Sequence, residues 1–170
     1  PALRAARLPG RLQELAPRTP DLLPVLLDGA HNPAGMAALC AFLARTTDGI
    51  ARVFFACMAD KDVPELLEPL RALPGDRVFL DLTAIHARAL GAAAFRALLP
   101  AEEAPRWRMV TPEAAALIPL LHTGSAAHSK AVFCGSLYLL GAVIPLLAPR
   151  YAGLEEFSRM AQEDAGDGTP

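Results

Sequence analysis

Short apolar runs alternate with longer segments of helical periodicity along most of the chain. The apolar runs that predict strands are residues 23–28, 52–58, 77–82, 107–110 and 131–134. The segments that predict helices are residues 33–45, a stretch that begins after Asp62, 95–99, 112–121 and 137–147. This alternation predicts right-handed βαβ crossovers and a mostly parallel sheet with helices on both faces.

Polar residues mark the starts of three of these helices. Asn32 precedes Pro33, Asp62 is followed three residues later by Glu65, and Ser136 precedes the last apolar helix. These are typical N-cap arrangements, with proline at the first helical position in one case and a capping box in another. Two helical stripes are predicted to be buried: Met36, Leu39, Cys40 and Leu43 in one helix, and Val63, Leu66, Leu67 and Leu70 in the next.

The composition is that of one domain with a sizeable core. The chain has 170 residues, 53% of them hydrophobic, and a net charge of −2 from 16 basic and 18 acidic residues. A nucleic-acid binder would carry a basic stripe, so this balance of charges does not favour that class of protein.

The three cysteines, Cys40, Cys57 and Cys134, lie far apart in apolar patterns. We predict buried thiols in a cytoplasmic protein.

One uncharged stretch, residues 131–149, approaches the roughly 20 apolar residues that a membrane-spanning helix needs. However, Gly135 and Ser136 follow a short β-type run, and Pro145 interrupts the remainder. A buried strand followed by a buried helix fits these breaks better. We therefore predict no membrane association, and no signal peptide is visible at the N-terminus.

The ends of the chain predict its domain organisation. It begins with an arginine- and proline-rich segment instead of a complete element, and it ends in an acidic segment without apolar periodicity. We expect a domain cut from a longer protein. Residues 1–20 are predicted as a linker and the start of the domain, 21–152 as the α/β domain, and 153–170 as a flexible tail.

The turn between the first predicted strand and helix carries the most informative chemistry. Residues 28–33 read Asp-Gly-Ala-His-Asn-Pro. Ligands of open α/β sheets bind at such turns, at the carboxyl ends of the strands. We expect the carboxylate of Asp28 to project from this edge, where it could accept a ribose hydroxyl or hold a cation. His31 could stack on a planar ring or meet a phosphate. Alternatively, Asp28 and Asn32 only organise the turn and cap the helix.

Three further polar elements have both a functional and a structural interpretation. Lys61, beside Asp60, follows the second predicted strand and could meet a phosphate or a carboxylate, or it could belong to a solvated charge cluster. Ser136 could bind a carboxylate together with nearby N–H groups, or only cap its helix. Arg11 could stabilise the charge of a γ-phosphate, or simply be exposed. The remaining histidines show no ligand spacing and are predicted as surface or helix-end residues: His86, His122 and His128.

Several of these strings together resemble the folylpolyglutamate synthase and dihydrofolate synthase family of the Mur ligase superfamily. Residues 28–33 match its Asp-Gly-Ala-His-Asn-Pro signature, and the Asp-Lys-Asp of residues 60–62 is similar to a second element. Residues 135–138, Gly-Ser-Leu-Tyr, residues 9–11, Pro-Gly-Arg, and the pair Arg88-Ala89 resemble three more. The resemblance covers the C-terminal part of the enzyme only. It implies a Rossmann-like, mostly parallel sheet of about six strands, the type of the Mur ligase C-terminal domain.

The resemblance also implies an activity. Such an enzyme is an ATP-dependent ligase of folate biosynthesis and one-carbon metabolism that joins L-glutamate to folate or dihydropteroate through an acyl phosphate. Arg11, Asp28, His31 and Asn32 would then lie on the nucleotide side, and Ser136, Lys61 and Asp60 on the glutamate side. No residue of this chain is expected to bind metal.

The chain has no phosphate-cradling loop of the G-x-x-x-x-G-K-[ST] type. ATP and Mg²⁺ would be held mainly by an N-terminal P-loop domain, so we expect this domain alone to be inactive. Two alternatives stay open: the corresponding domain of another Mur-type amide ligase, such as one acting on a peptidoglycan precursor, and a non-catalytic binding or interaction domain of the same fold. The sequence does not separate dihydrofolate synthase from folylpolyglutamate synthase.

Overall fold

The computed structural model of the chain describes residues 10–46, 49–124 and 129–154, which form one seven-stranded sheet with helices on both faces. The strands are β1 (Gln13–Pro17), β2 (Val25–Leu27), β3 (Gly49–Phe55), β4 (Asp76–Leu80), β5 (Trp107–Val110), β6 (Ser129–Cys134) and β7 (Tyr151–Ala152). The α-helices are α1 (Pro33–Leu43), α2 (Val63–Leu67), α3 (Ala92–Leu98), α4 (Ala114–Leu117) and α5 (Leu137–Leu147). Short 3₁₀ helices cover Pro69–Ala72, Ala104–Arg106 and Ile118–Leu121.

The strand order is β5-β4-β3-β6-β2-β1-β7. The five strands from β5 to β2 are parallel, β1 runs antiparallel to β2, and β7 runs antiparallel to β1. The predicted α/β class and the mostly parallel sheet are confirmed, and the sheet of the described residues has seven strands where about six were predicted. The additional strands β1 and β7 are a short antiparallel edge, and β1 lies in the segment predicted as a linker and the start of the domain.

Two apolar layers hold the helices against the sheet. α1, α2 and α3 pack on one face, and α4 and α5 on the other. The predicted stripes of α1 and of the α2 region are buried, and so are all three cysteines. Stacked aromatic rings connect neighbouring elements, with ring centroids 4.3 Å apart for Phe54 and Phe133 and 4.0 Å apart for Phe79 and Phe95. Truncating a core phenylalanine of this kind costs about 3–5 kcal/mol.

The predicted helix caps are confirmed by their hydrogen bonds. Asn32 accepts from the Gly35 N–H at 2.8 Å, and Asp62 from the Glu65 N–H at 3.1 Å. Ser136 caps α5, its hydroxyl oxygen lying 3.1 Å from the Tyr138 nitrogen. Each such cap contributes about 1 kcal/mol to stability.

The segment predicted as a helix over residues 112–121 is divided into two helical elements in the structure. α4 ends at Leu117 and continues as the 3₁₀ helix Ile118–Leu121, which contains Pro119. A proline inside a helix has no N–H to donate, which favours this change of winding. In the part of the chain that the structure describes, no helix is long and apolar enough to cross a membrane.

Candidate functional site in the cleft at the carboxyl edge of the sheet

The strand order creates a crevice at the carboxyl ends of β2, β6 and β3. After β2 the chain turns into α1 on one face of the sheet, whereas after the neighbouring β6 it turns into α5 on the opposite face. Adjacent loops that leave a parallel sheet in opposite directions open a gap between them, and ligands of doubly wound folds bind in that gap. A cleft lies here.

This carboxyl-edge cleft brings together residues from four separate loops. It has a volume of about 180 Å³ and is lined by His31, Met58, Asp60, Lys61, Arg88, Gly135, Ser136, Leu137 and Tyr138. Four of the residues predicted from the sequence are among them, namely His31, Asp60, Lys61 and Ser136. Complete ligand pockets occupy roughly 300–1,000 Å³, so the cleft has the size of part of a site.

Asp28 does not line this cleft, and the prediction that its carboxylate projects from the edge is wrong. The residue is only 6% exposed. One carboxylate oxygen accepts from the Ala30 N–H at 2.8 Å, and the other accepts from the Leu12 N–H at 2.9 Å. The carboxylate turns inward because these two backbone donors need an acceptor. It thereby ties the turn that carries His31 to the segment that precedes β1.

The imidazole of His31 is fixed by its own turn. Its Nδ1 lies 2.8 Å from the carbonyl oxygen of Gly29, and a carbonyl only accepts, so Nδ1 carries the proton. A neutral ring in this tautomer keeps Nε2 as an acceptor. His31 is half-buried at the wall of the cleft. Asn32, in contrast, is exposed outside the cleft, with its side chain engaged in capping α1.

Lys61 and Asp60 follow β3 and form a loose ion pair. The Lys61 Nζ and an Asp60 oxygen are 3.4 Å apart, and the two side chains are 37% and 67% exposed. Exposed pairs of this kind contribute about 0–1 kcal/mol, so the ammonium remains available to an incoming anion. Asp62 caps α2 and does not line the cleft.

Ser136 sits at the start of α5 and is buried, because the chain approaches it through a tight turn at Gly135. Gly135 has φ +104°, and a Cβ there would lie 2.3 Å from the carbonyl oxygen of Ala56, so only glycine fits. Its N–H donates to the carbonyl oxygen of Ala30 at 2.8 Å. The ends of β6, β3 and β2 are thus held together around the serine hydroxyl and the N-terminus of α5.

Arg88 and Tyr138 complete the cleft, and neither was predicted as a site residue. Arg88 Nη2 lies 3.4 Å from the Tyr138 hydroxyl oxygen, and the rings of Tyr138 and His86 have centroids 3.9 Å apart. The Ala59 N–H donates to the Arg88 carbonyl at 2.9 Å, which places this loop beside Lys61. The sequence signals for them were the resemblances of the Arg88-Ala89 pair and of the Gly-Ser-Leu-Tyr string that ends in Tyr138.

The loop that carries Arg88 is anchored by Asp81 at the end of β4. Its carboxylate accepts from the Thr83 hydroxyl at 2.6 Å, from the Thr83 N–H at 2.9 Å and from the Ala92 N–H at 2.8 Å. Burial alone would raise the pKa of Asp81, but these hydrogen bonds outweigh it and hold the pKa below its ordinary value. The loop is therefore fixed at both ends.

The remaining predicted residues lie elsewhere. Arg11 is exposed next to Leu12, a non-glycine residue with φ +44°, and it does not line the cleft. His122 is exposed, its Nδ1 3.2 Å from a carboxylate oxygen of Asp21, whereas His86 is half-buried against Tyr138. Pro9, His128 and residues 155–170 lie outside the described residues. No cluster of three His, Cys, Asp or Glu residues that could hold a metal ion occurs in residues 10–46, 49–124 and 129–154.

Comparison with known proteins gives matches in structure only. No family model and no curated protein matches the chain. A Mycobacterium tuberculosis folylpolyglutamate synthase complexed with ADP and AMPPCP superposes with a TM-score of 0.68 and 27% identity, covering 84% of this chain and 33% of that one. The chain has the fold of a folylpolyglutamate synthase domain.

Two further folylpolyglutamate synthase structures also match this chain. The bifunctional folylpolyglutamate synthase/dihydrofolate synthase of Yersinia pestis matches with a TM-score of 0.65 and 23% identity, over 86% of this chain and 32% of that one. A bifunctional enzyme with Mn, AMPPNP and L-glutamate bound matches with a TM-score of 0.66 and 25% identity, over 85% and 32%. The resemblance predicted from the sequence is confirmed. The chain spans about a third of the length of each matched enzyme.

Proposed function

We propose that this chain is the C-terminal domain of an ATP-dependent ligase that adds L-glutamate to folate or dihydropteroate. The observation that carries the proposal is the carboxyl-edge cleft itself. It places two cations, a capped helix N-terminus and one carboxylate together on a fold shared with ligases whose structures contain nucleotide analogues and, in one case, L-glutamate.

The charges of the cleft match those of glutamate, which carries two carboxylates and one amine. Lys61 and Arg88 offer cationic donors from two different loops, and Ser136 offers its hydroxyl beside the first N–H groups of α5. Helix N-termini favour anions. Asp60 lies next to Lys61 and is suited to accept from the amine. The amine needs to be held and then released as a neutral nucleophile when it attacks the acyl phosphate.

The nucleotide would lie on the other side of the cleft. His31 presents Nε2 at the wall, and Arg11 stands on the segment that Asp28 ties to the same turn. In this proposal Asp28 and Asn32 are positioning residues, since their side-chain oxygens are engaged with backbone N–H groups. Arg11 would stabilise negative charge on the transferring phosphoryl group.

The triphosphate and Mg²⁺ would be held mainly by an N-terminal P-loop domain. The residues that would hold Mg²⁺ are accordingly expected in that domain. The small volume of the cleft also fits a site that a second domain completes. The chain by itself would then be inactive.

The proposal is tested by measuring the KM of the full-length protein for glutamate and for ATP in wild type and in variants. Lys61→Gln and Arg88→Gln should each raise KM for glutamate at least tenfold, since each removes a charged contact of about 1.5–3 kcal/mol. KM for ATP should change little. Arg96→Gln, an exposed arginine on α3 outside the cleft, is the matched control.

An unchanged KM for glutamate in both variants would remove the cleft from the glutamate site. If the full-length protein binds ATP or glutamate but never joins glutamate to an acceptor, the chain is a binding module instead. Activity with a peptidoglycan precursor and none with pterins would identify another Mur-type ligase.

A further inference from the structure

A second cleft lies at the opposite edge of the sheet, near the starts of β4 and β5. It has a volume of about 240 Å³ and is separate from the carboxyl-edge cleft in every lining residue. Four arginines line it, together with one carboxylate and one tryptophan: Arg52, Arg77, Arg106, Arg108, Asp76 and Trp107. We call it the arginine cleft.

Two of these arginines are held in fixed orientations by backbone carbonyls. Arg77 donates through Nη2 to three carbonyl oxygens at the end of the 3₁₀ helix Pro69–Ala72, at 2.9, 3.2 and 3.2 Å. Arg52 donates through Nη1 to the carbonyl oxygens of Leu120 and His122. Guanidinium groups that are already ordered lose little entropy when they bind an anion.

Donors remain after these structural bonds are counted. Among the described residues, Nε and Nη1 of Arg77 make no hydrogen bond, and the guanidinium groups of Arg106 and Arg108 bond to no acceptor. Arg106 and Arg108 are both exposed. A planar guanidinium presents paired donors that match the oxygens of a phosphate or a carboxylate.

The positive charge of the arginine cleft is poorly neutralised. Asp76 is its one acidic lining residue, and that side chain is 76% exposed at 3.5 Å from Arg52. Burial lowers the pKa of Arg77, and the nearby charge of Arg106 lowers it further, although Glu103 works in the opposite direction. Glu103 is itself paired with Arg71 at 2.7 Å. An anion in the cleft would relieve repulsion between like charges.

We propose that the arginine cleft binds a small multivalent oxyanion, with oxygens arranged as in an oligophosphate or an oligocarboxylate. The small volume of the cleft suits a compact anion instead of a polymer. The site lies at the edge of the sheet opposite the proposed glutamate cleft, so it does not depend on the proposed function.

The single tryptophan of the chain gives a reporter for this site. Trp107 lines the arginine cleft and not the carboxyl-edge cleft, so its fluorescence separates the two sites. The chain would be titrated at low ionic strength, where surface electrostatics are least screened, with pyrophosphate and separately with citrate. Calorimetric titrations of the same samples would measure binding independently of the emission change.

The double variant Arg106→Gln/Arg108→Gln should raise the apparent Kd at least tenfold, and Arg45→Gln, which removes an exposed arginine outside the cleft, should leave it unchanged. Because the replaced side chains are exposed, both variants should keep the wild-type circular dichroism spectrum. Binding of pyrophosphate alone would identify a phosphate site, and binding of both anions would support recognition of oxyanions in general. The proposal is overturned if neither anion binds saturably by calorimetry, or if the control weakens binding as much as the double variant.

Discussion

Replacing Asp28 with alanine should destabilise the fold, because the buried carboxylate accepts two backbone N–H groups that would lose their partner. These donors belong to Ala30 and Leu12, at 2.8 and 2.9 Å. A hydrogen bond to a charged group contributes about 1.5–3 kcal/mol. Leu12 is 41% exposed, so water can partly replace the carboxylate at its N–H. We expect a loss of about 2–4 kcal/mol in the free energy of unfolding.

Urea unfolding, followed by circular dichroism and Trp107 fluorescence, measures this loss. In a separate thermal unfolding experiment, a loss of this size should lower the melting temperature of such a domain by roughly 5–15 °C. Asp28→Asn keeps one acceptor oxygen and should lose about half as much. The matched control is Asp60→Ala, on the same edge of the sheet but 67% exposed, which should stay within about 0.5 kcal/mol of wild type. A loss below about 1 kcal/mol for Asp28→Ala would refute the assignment of Asp28 as the tie between the two segments.

Three further outcomes are expected. Gly135→Ala should lower the free energy of unfolding by about 2–4 kcal/mol in the same assay, since φ is +104° and the new Cβ would lie 2.3 Å from the Ala56 carbonyl oxygen. An unchanged free energy of unfolding would contradict this. Burial raises the pKa of Cys40 to about 11 and that of Cys57 to about 12. These thiols should therefore resist a thiol reagent at pH 8 in the folded protein. Rapid labelling before unfolding would count against their burial. In the full-length protein, Ser136→Asp should keep the cap hydrogen bond but greatly raise KM for glutamate, whereas Ser136→Ala should lose about 1 kcal/mol of stability. An unchanged KM in the aspartate variant would leave Ser136 as a cap only.

The central strands and helices could be predicted because their signals are local. β5 and α5 match the predicted bounds of residues 107–110 and 137–147, and the three polar caps lie where the sequence placed them. β1 and β7 could not be predicted in this way. β1 has one fully buried residue, Leu15, and ends in a proline, and β7 has only two residues, so neither shows a strand pattern.

The candidate site was predictable where its residues directly follow a strand, and not where they meet through the tertiary fold. Lys61 and Ser136 follow β3 and β6, so their arrival at one edge follows from a parallel sheet. Arg88 meets Tyr138 across 50 positions of sequence, which no local spacing reveals. The inward turn of Asp28 was missed for the same reason: its partner Leu12 lies 16 positions earlier, directly before β1, a strand that the sequence did not predict.

The most direct test of the proposed function is ATP-dependent incorporation of labelled L-glutamate by the full-length protein that contains this chain, compared with the 170-residue chain alone. Mass spectrometry would identify the acceptor, with folate and dihydropteroate supplied separately. We expect a glutamylated product from the full-length protein and none from the chain alone, because the carboxyl-edge cleft would supply only part of the site. Turnover by the isolated chain, or a full-length protein that joins glutamate to neither acceptor, would contradict it.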